Sequence, residues 1–143
     1  YHNYKYNDNR IGTIDDRLTL NFPNPEYVRF EKHRVWVVEA NLAEGKRHAY
    51  KKRRWYIDED SWNPVMAENF DGRGNLWRVG YFLSDYEYQV SCYHKTSQVF
   101  LDLPSGHYLT DFVTLDRKER DFTIPYLDKD KFTPANLRKL SKR

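Results

Sequence analysis

Residues 27–42 read YVRFEKHRVWVVEANL, and their alternation restricts what the chain can become. Val28, Phe30, Trp36, Val38, Ala40 and Leu42 fall on one side of an extended backbone, interrupted by Lys32 and Arg34. Arg29, Glu31, His33, Glu39 and Asn41 fall on the other side, with Val35 and Val37 among them. Successive side chains of a strand point to opposite faces, so this pattern predicts one long strand buried mainly on one side. A short connection containing Gly45 follows, and the next strand, 47–57, should return antiparallel to the first. Trp55 and Ile57 lie on one of its faces, Tyr50 and Tyr56 on the other.

The same punctuation continues. Residues 58–63 form a corner, 64–70 a strand, 71–75 a second corner and 76–90 a further strand. Beyond Val90 the pattern weakens into short strands at 99–103 and 108–115, separated by Pro104-Ser105-Gly106, with a charged, solvated stretch at 116–121. Near the end, Thr133 suits an N-cap, Pro134 the first helical position, and Arg138 and Lys139 the last turn, so one short C-terminal helix is expected. Residues 1–26 are polar and close on Asn21-Phe22-Pro23-Asn24-Pro25; they read as an extended N-terminal arm with a strand at 18–22. The expected organisation is therefore an arm, 1–26, and an antiparallel β domain, 27–143, in a mainly β fold.

Composition agrees. Aromatic residues make up 17% of the 143 residues, and rings suit a pleated, half-buried surface. A net charge of +3 gives mild support to an anionic partner without requiring one. No apolar run approaches the roughly 20 residues of a membrane-spanning helix, so the chain is not expected to span a membrane by one. Cys92 is the single cysteine, which excludes an internal disulfide and an all-cysteine metal site; it reads as a small buried residue.

The polar motifs resolve into corners. Asp58-Glu59-Asp60 lacks the ligand spacing of a calcium loop, with Ser61 and Trp62 where ligands and glycine belong. Asp71-Gly72-Arg73-Gly74 lacks the Gly-Lys-Ser/Thr and the helix of a phosphate loop, and a tight hairpin explains both glycines. Lys51-Lys52-Arg53-Arg54 sits beside Trp55 and Tyr56 as a nucleic-acid groove would. In a strand, however, Lys51 and Arg53 point away from Lys52 and Arg54, so no basic stripe forms and no nucleic-acid partner is expected. Cys92 and His94 share a strand face, but no nucleophile elbow and no paired histidines accompany them. No catalytic residues, metal or cofactor are assigned.

The aromatic excess remains. Trp36, Trp55, Phe70, Trp77 and Tyr81 come from consecutive strands, with one short helix to cover them. A ring-rich sheet with too little cover binds an apolar ligand, packs on a further segment or dimerises. These five residues are the expected apolar wall of a binding site.

Five segments carry a family resemblance: EKHRVWVVEA (31–40), GKRH (45–48), YIDEDSW (56–62), FDGRGNLWRV (70–79) and FTPANLR (132–138). Together they resemble the C-terminal part of the uncharacterised bacterial envelope proteins labelled outer membrane lipoprotein-sorting protein. The resemblance implies a location in the periplasm or at the outer membrane. It also implies a curved antiparallel half-barrel related to the lipoprotein carriers LolA and LolB, with a lipid-accepting concave face. Members of that family are longer, so the chain reads as a fragment of one. The expectation is a non-enzymatic domain that holds a lipid or the acyl chain of a lipoprotein. The rival expectation is an interaction module whose same face meets another envelope protein segment or a second copy.

Overall fold

The computed structural model describes residues 6, 8–111 and 131–141. Six strands follow in chain order: β1 (Val35–Asn41), β2 (Lys52–Asp58), β3 (Pro64–Phe70), β4 (Leu76–Glu87), β5 (Cys92–Asp102) and β6 (His107–Asp111). Each pairs antiparallel with the next, giving one sheet of order β1-β2-β3-β4-β5-β6. Among the described residues β1 and β6 do not meet, so the sheet is unclosed. Irregularities at Tyr56/Ile57, Asn69/Phe70 and Leu83/Ser84 break the ladders; such bulges bend and twist a sheet. The mainly β meander with a short C-terminal helix is the fold the sequence predicts.

The corners form for local reasons. Asp71 Oδ1 accepts hydrogen bonds from the backbone N–H of Arg73 (2.9 Å) and Asn75 (2.8 Å), and Gly74 takes the positive φ of +89° that closes the turn. The C-terminal helix, Pro134–Leu140, starts where Thr133 Oγ1 accepts from the N–H of Asn136 at 3.3 Å. Its Leu137 and Leu140 are exposed, so it does not shield the sheet with them.

Several boundaries differ from the sequence reading, among them the second strand, which begins at Lys52 rather than at residue 47, and the fourth, which ends at Glu87 rather than at 90. The first strand begins at Val35 rather than at residue 27. Residues 28–34 leave the sheet, and the Phe30 ring meets Tyr81 edge-on, 5.9 Å between centroids. The fifth strand begins at Cys92 rather than at 99, along a ladder that runs from Glu87↔Cys92 to Arg78↔Asp102. The sixth is described to Asp111; the remainder of the expected 108–115 strand and the charged 116–121 stretch lie outside the described residues.

The N-terminal arm is more structured than an extended segment. It holds a short 3-10 turn at Asn9–Ile11, the helix α1 (Ile14–Arg17), a second 3-10 turn at Pro25–Tyr27 and, in place of a strand at 18–22, a single bridge between Leu18 and Pro23. Thr13 and Asp16 form a reciprocal capping box that starts α1. Arg17 is fully buried: its Nε donates to the Tyr6 carbonyl at 2.8 Å, its Nη1 to the Thr13 carbonyl at 2.7 Å and its Nη2 to the Asp8 carbonyl, while its guanidinium lies 4.7 Å from the Tyr27 ring centroid. One charged side chain thus gathers several backbone acceptors into a knot. The arm lies against the far end of the sheet, where Tyr6 Oη is 3.1 Å from Thr110 Oγ1 and Tyr108 Oη donates to the Thr19 carbonyl at 2.8 Å.

Candidate functional site

Directly paired residues of neighbouring strands project from the same face, so the registers sort every side chain. One row crosses all six strands: Val38, Trp55, Ala67, Gly80, Phe100 and Leu109. Every member is apolar. Trp36 and Ile57 pair beside this row, and Phe82 meets Phe100 edge-on at 6.2 Å between centroids. The ends of the row stand in solvent, Val38 43% and Leu109 59% exposed, and so does Trp36 beside it, at 57%. The centre is kept low by Ala67 and Gly80; a Cβ on Gly80 would come within 3.1 Å of Phe100 Cδ1. This is the open face.

The next row on the open face is polar beyond β1: after Ala40 come Arg53, Asn69, Arg78, Asp102 and His107. Arg78 Nε donates to Asp102 Oδ2 at 2.8 Å and its Nη1 to Tyr50 Oη at 3.0 Å. The guanidinium beside it holds the Asp102 carboxyl below the usual carboxylate range, with Ser105 adding hydrogen bonds. Arg53 contacts His48 Nε2 at 2.9 Å and lies 5.0 Å from the Tyr50 ring centroid. The open face is therefore amphipathic along the strand direction, an apolar floor with a cationic border.

The opposite face is covered over β4 and β5. Leu83 and Val99 are buried there, together with Tyr6 of the arm. Burial, reinforced by neighbouring Tyr6 and Tyr108, pushes the Tyr81 phenol up to about 12. Towards β1 this face carries a charged network instead. Arg54 bridges Glu39 and Glu68, both at 3.1 Å, Tyr56 Oη donates to Glu68 at 2.9 Å, and the Arg54 guanidinium holds the Glu39 carboxyl low.

Between the crossing segment 29–33 and the sheet lies a cleft of about 150 Å³ lined by Phe30, Met66, Tyr81 and Leu83, with His33 and Asp58 at its polar side. Asp58, expected as part of a polar corner, is fully buried. Its Oδ2 accepts from the Ser61 N–H (2.8 Å) and hydroxyl (2.7 Å), and its Oδ1 is 3.2 Å from His33 Nδ1. The carboxylate thereby locks the β2–β3 turn from inside, which also sets Trp62 at a positive φ of 57°. Ligand atoms of His33, Asp58 and Asp60 lie within 4.8 Å of one another, a spacing a cation could use.

The five residues expected to form one apolar wall are divided by the registers. Trp36 and Trp55 stand on the open face. Tyr81 pairs with Met66 on the covered face and lines the cleft. Phe70 pairs with Lys52 on that same side, where the Lys52 ammonium and Arg54 guanidinium lie 4.4 and 5.6 Å from its ring centroid. Trp77 sits at the bulged strand end, donates its indole N–H to Asp102 at 3.1 Å and stacks with the Arg78 guanidinium at 4.4 Å. Phe82, Phe100 and Leu109 complete the open face. Nothing in the sequence singles out Phe100 and Leu109, since the strand patterns beyond Val90 are weak. Cys92 is exposed rather than buried, because it opens β5 opposite Glu87 at an uncovered end of the ladder.

The model of the protein family of unknown function DUF1329 matches residues 1–138. The chain belongs to the DUF1329 family. An uncharacterized protein of Pseudomonas aeruginosa, PA3922, is 38% identical over 139 residues; the match takes in 96% of this chain and 30% of that relative. A domain from Vibrio parahaemolyticus described as a putative outer membrane lipoprotein-sorting protein superposes with a TM-score of 0.50 at 19% identity, over 80% of this chain and 44% of that one. A DUF1329 family protein from Desulfovibrio piger superposes with a TM-score of 0.46 at 14% identity, over 53% of this chain and 31% of that one. The chain thus spans less than a third of the length of its curated relative, and the likeness to the Vibrio domain is one of fold. Among the described residues no helix is long and apolar enough to cross a membrane.

Proposed function

We propose that this DUF1329 domain is a non-enzymatic lipid- or lipoprotein-binding unit of the periplasm or outer membrane, and that the open face holds the acyl chain. The observation that carries this reading is the six-strand apolar row from Val38 to Leu109, which stays partly in water while β4 and β5 are covered on the other face. Removing apolar surface from water is worth about 25 cal/mol per Å², so a chain laid along Trp36, Trp55, Phe82 and Phe100 needs no catalytic group to be retained. The Vibrio domain's likeness adds a fold with a lipoprotein-sorting label attached to that protein.

The test is mass spectrometry of organic extracts after detergent-free purification, followed by loading with a phospholipid. The reading expects co-purified or acquired lipid, and at least tenfold less of it in a Trp36→Ser, Leu109→Ser double variant. A protein that carries no lipid and takes none up removes the reading.

A second reading has its own support. The outer edge of β1 is unpaired among the described residues, and Trp36, Val37 and Val38 on it are exposed. Such an edge invites another strand. If the open face is half of a core shared with another protein segment, light scattering should find ligand-free dimers or larger species, and lipid loading should fail.

A further inference from the structure

The meander puts three turns at one end of the sheet: 42–51, 71–75 and 103–106. That end is basic. Lys46, Arg47, Lys51 and Arg73 are exposed, and no carboxylate among the described residues pairs with any of them or with Arg53. Asp102 is paired with Arg78, while Asp71, bound by the N–H groups of its own turn, stays anionic; Asp71 and Glu44 oppose the cations and are outnumbered by them. Leu42, Leu76 and Leu103, at the bases of these turns, are exposed. At the other end of the sheet Glu59 is paired with Arg34, and Asp60 and Glu87 stand at its two turns, so no comparable surplus of cations gathers there.

We propose that the basic end docks on an anionic phospholipid surface and sets the open face at the point where an acyl chain leaves or enters the bilayer. The proposal rests on the lipid-binding reading above and adds the partner surface and the orientation. Charge sign, leucines among the cations and continuity with the apolar row favour it. Arg53, in the polar row, borders both the turns and Trp55, where a headgroup would sit when its chain lies on the row. A single-stranded nucleic acid would instead require a continuous basic track with stacking rings. Here the cations are spread over separate turns, and Lys52 and Arg54 face away into the Glu39 and Glu68 network.

Flotation of the chain with phosphatidylcholine vesicles, with and without phosphatidylglycerol, tests this. Binding is expected only with phosphatidylglycerol, and it should weaken at least tenfold as salt shortens the screening length from about 10 Å at 0.1 M to about 3 Å at 1 M. A cation near an anionic surface is worth about fivefold in binding, so the triple variant Lys46→Gln, Arg47→Gln, Arg73→Gln should lose on the order of a hundredfold. Glu87→Gln at the opposite end should lose nothing. Equal binding to both vesicle types, indifference to salt, or wild-type binding by the folded triple variant overturns the proposal. So does salt-sensitive capture of a single-stranded oligonucleotide without vesicle binding. The two readings separate cleanly. A triple variant that still carries extracted lipid but no longer floats supports docking and keeps the carrier reading. A wild-type chain that carries lipid but ignores anionic vesicles overturns docking alone, and one that floats but never holds lipid supports docking while the carrier reading fails.

Discussion

The two faces of this sheet are built from the same strands and differ in what lies over them. On the covered side, Leu83 lies under segment 29–33, Val99 is buried, and Tyr6 of the arm reaches across to Thr110. On the open side, Leu109 keeps more than half its surface in water although it ends an uninterrupted apolar row, and Trp36, beside that row, does the same. The contrast teaches that apolar character in the sequence does not by itself make a core. Cover does, and here cover is supplied by segment 29–33 together with a polar arm organised around a buried arginine.

The most damaging way to break the contrast is to release the arm. Arg17→Met removes the donors that the carbonyls of Tyr6, Asp8 and Thr13 share. Each buried acceptor left unpaired costs on the order of 1–3 kcal/mol, so a total loss of about 3 kcal/mol or more is expected in urea unfolding. The covered face should then acquire the solvent exposure of the open one. If Arg17→Met unfolds like the wild type, the arm is not what makes the faces different.

Truncation within the faces comes next. Leu83→Ala, at a fully buried site, should cost about 2–5 kcal/mol, whereas Leu109→Ala at the exposed end of the apolar row should cost less than about 1 kcal/mol. Equal costs, measured by the same denaturation, would mean that the open face is packed against something in solution.

Much of this architecture was legible in the sequence because turn chemistry and period-two patterning act locally. Asp71 and Gly74 form their turn wherever they stand, and Pro64–Phe70 falls where it was expected. What was not legible depends on pairing across strands. Trp36, Trp55, Phe70 and Tyr81 each have a definite parity within a strand, yet which of them share a face is set by turn lengths and by the irregularities at Tyr56/Ile57 and Asn69/Phe70. Alternation also continues through Val28 and Phe30, where the chain has left the sheet and Phe30 meets Tyr81 from above. A period of two reports an extended backbone, not a strand partner. Buried Arg17 and Asp58 escaped for another reason: charged residues are rarely fully buried unless paired. The signals were present, a capping box ahead of Arg17 and a serine three residues after Asp58, but each is equally at home on a surface.

The faces also differ in how they titrate. Tyr81 is pushed up to about 12 by burial, and Tyr6 is raised in the same way. In the folded chain these phenols hold their protons more tightly than in the unfolded one. Their contribution to stability is therefore complete below about pH 10, the ordinary tyrosine value, and fades as pH rises towards 12. Absorbance titration should show the Tyr81 phenolate forming well after the ordinary tyrosines, and stability should decline across that window. In Arg17→Met the late phase should move towards the ordinary value, because the arm no longer excludes water from Tyr81.

The smallest effect is the sharpest measure of whether the open face is open. A methyl group on Gly80 would lie 3.1 Å from Phe100 Cδ1, so Gly80→Ala requires the ring to yield by a few tenths of an ångström. In a sealed core such overpacking costs about 1–3 kcal/mol. Phe100 is only half-buried and its nearest ring, Phe82, meets it edge-on, so a tilt outward is available. Replacing a strand glycine also restricts the unfolded chain, which stabilises by about 0.4–1 kcal/mol when the fold tolerates the change. With the ring free, the two terms nearly cancel and unfolding should shift by less than about 1 kcal/mol. A loss of about 3 kcal/mol would show Phe100 pinned from the solvent side. An acyl chain already seated on the row would pin it in that way, so the same variant, compared before and after lipid extraction, reports whether the apolar row is occupied.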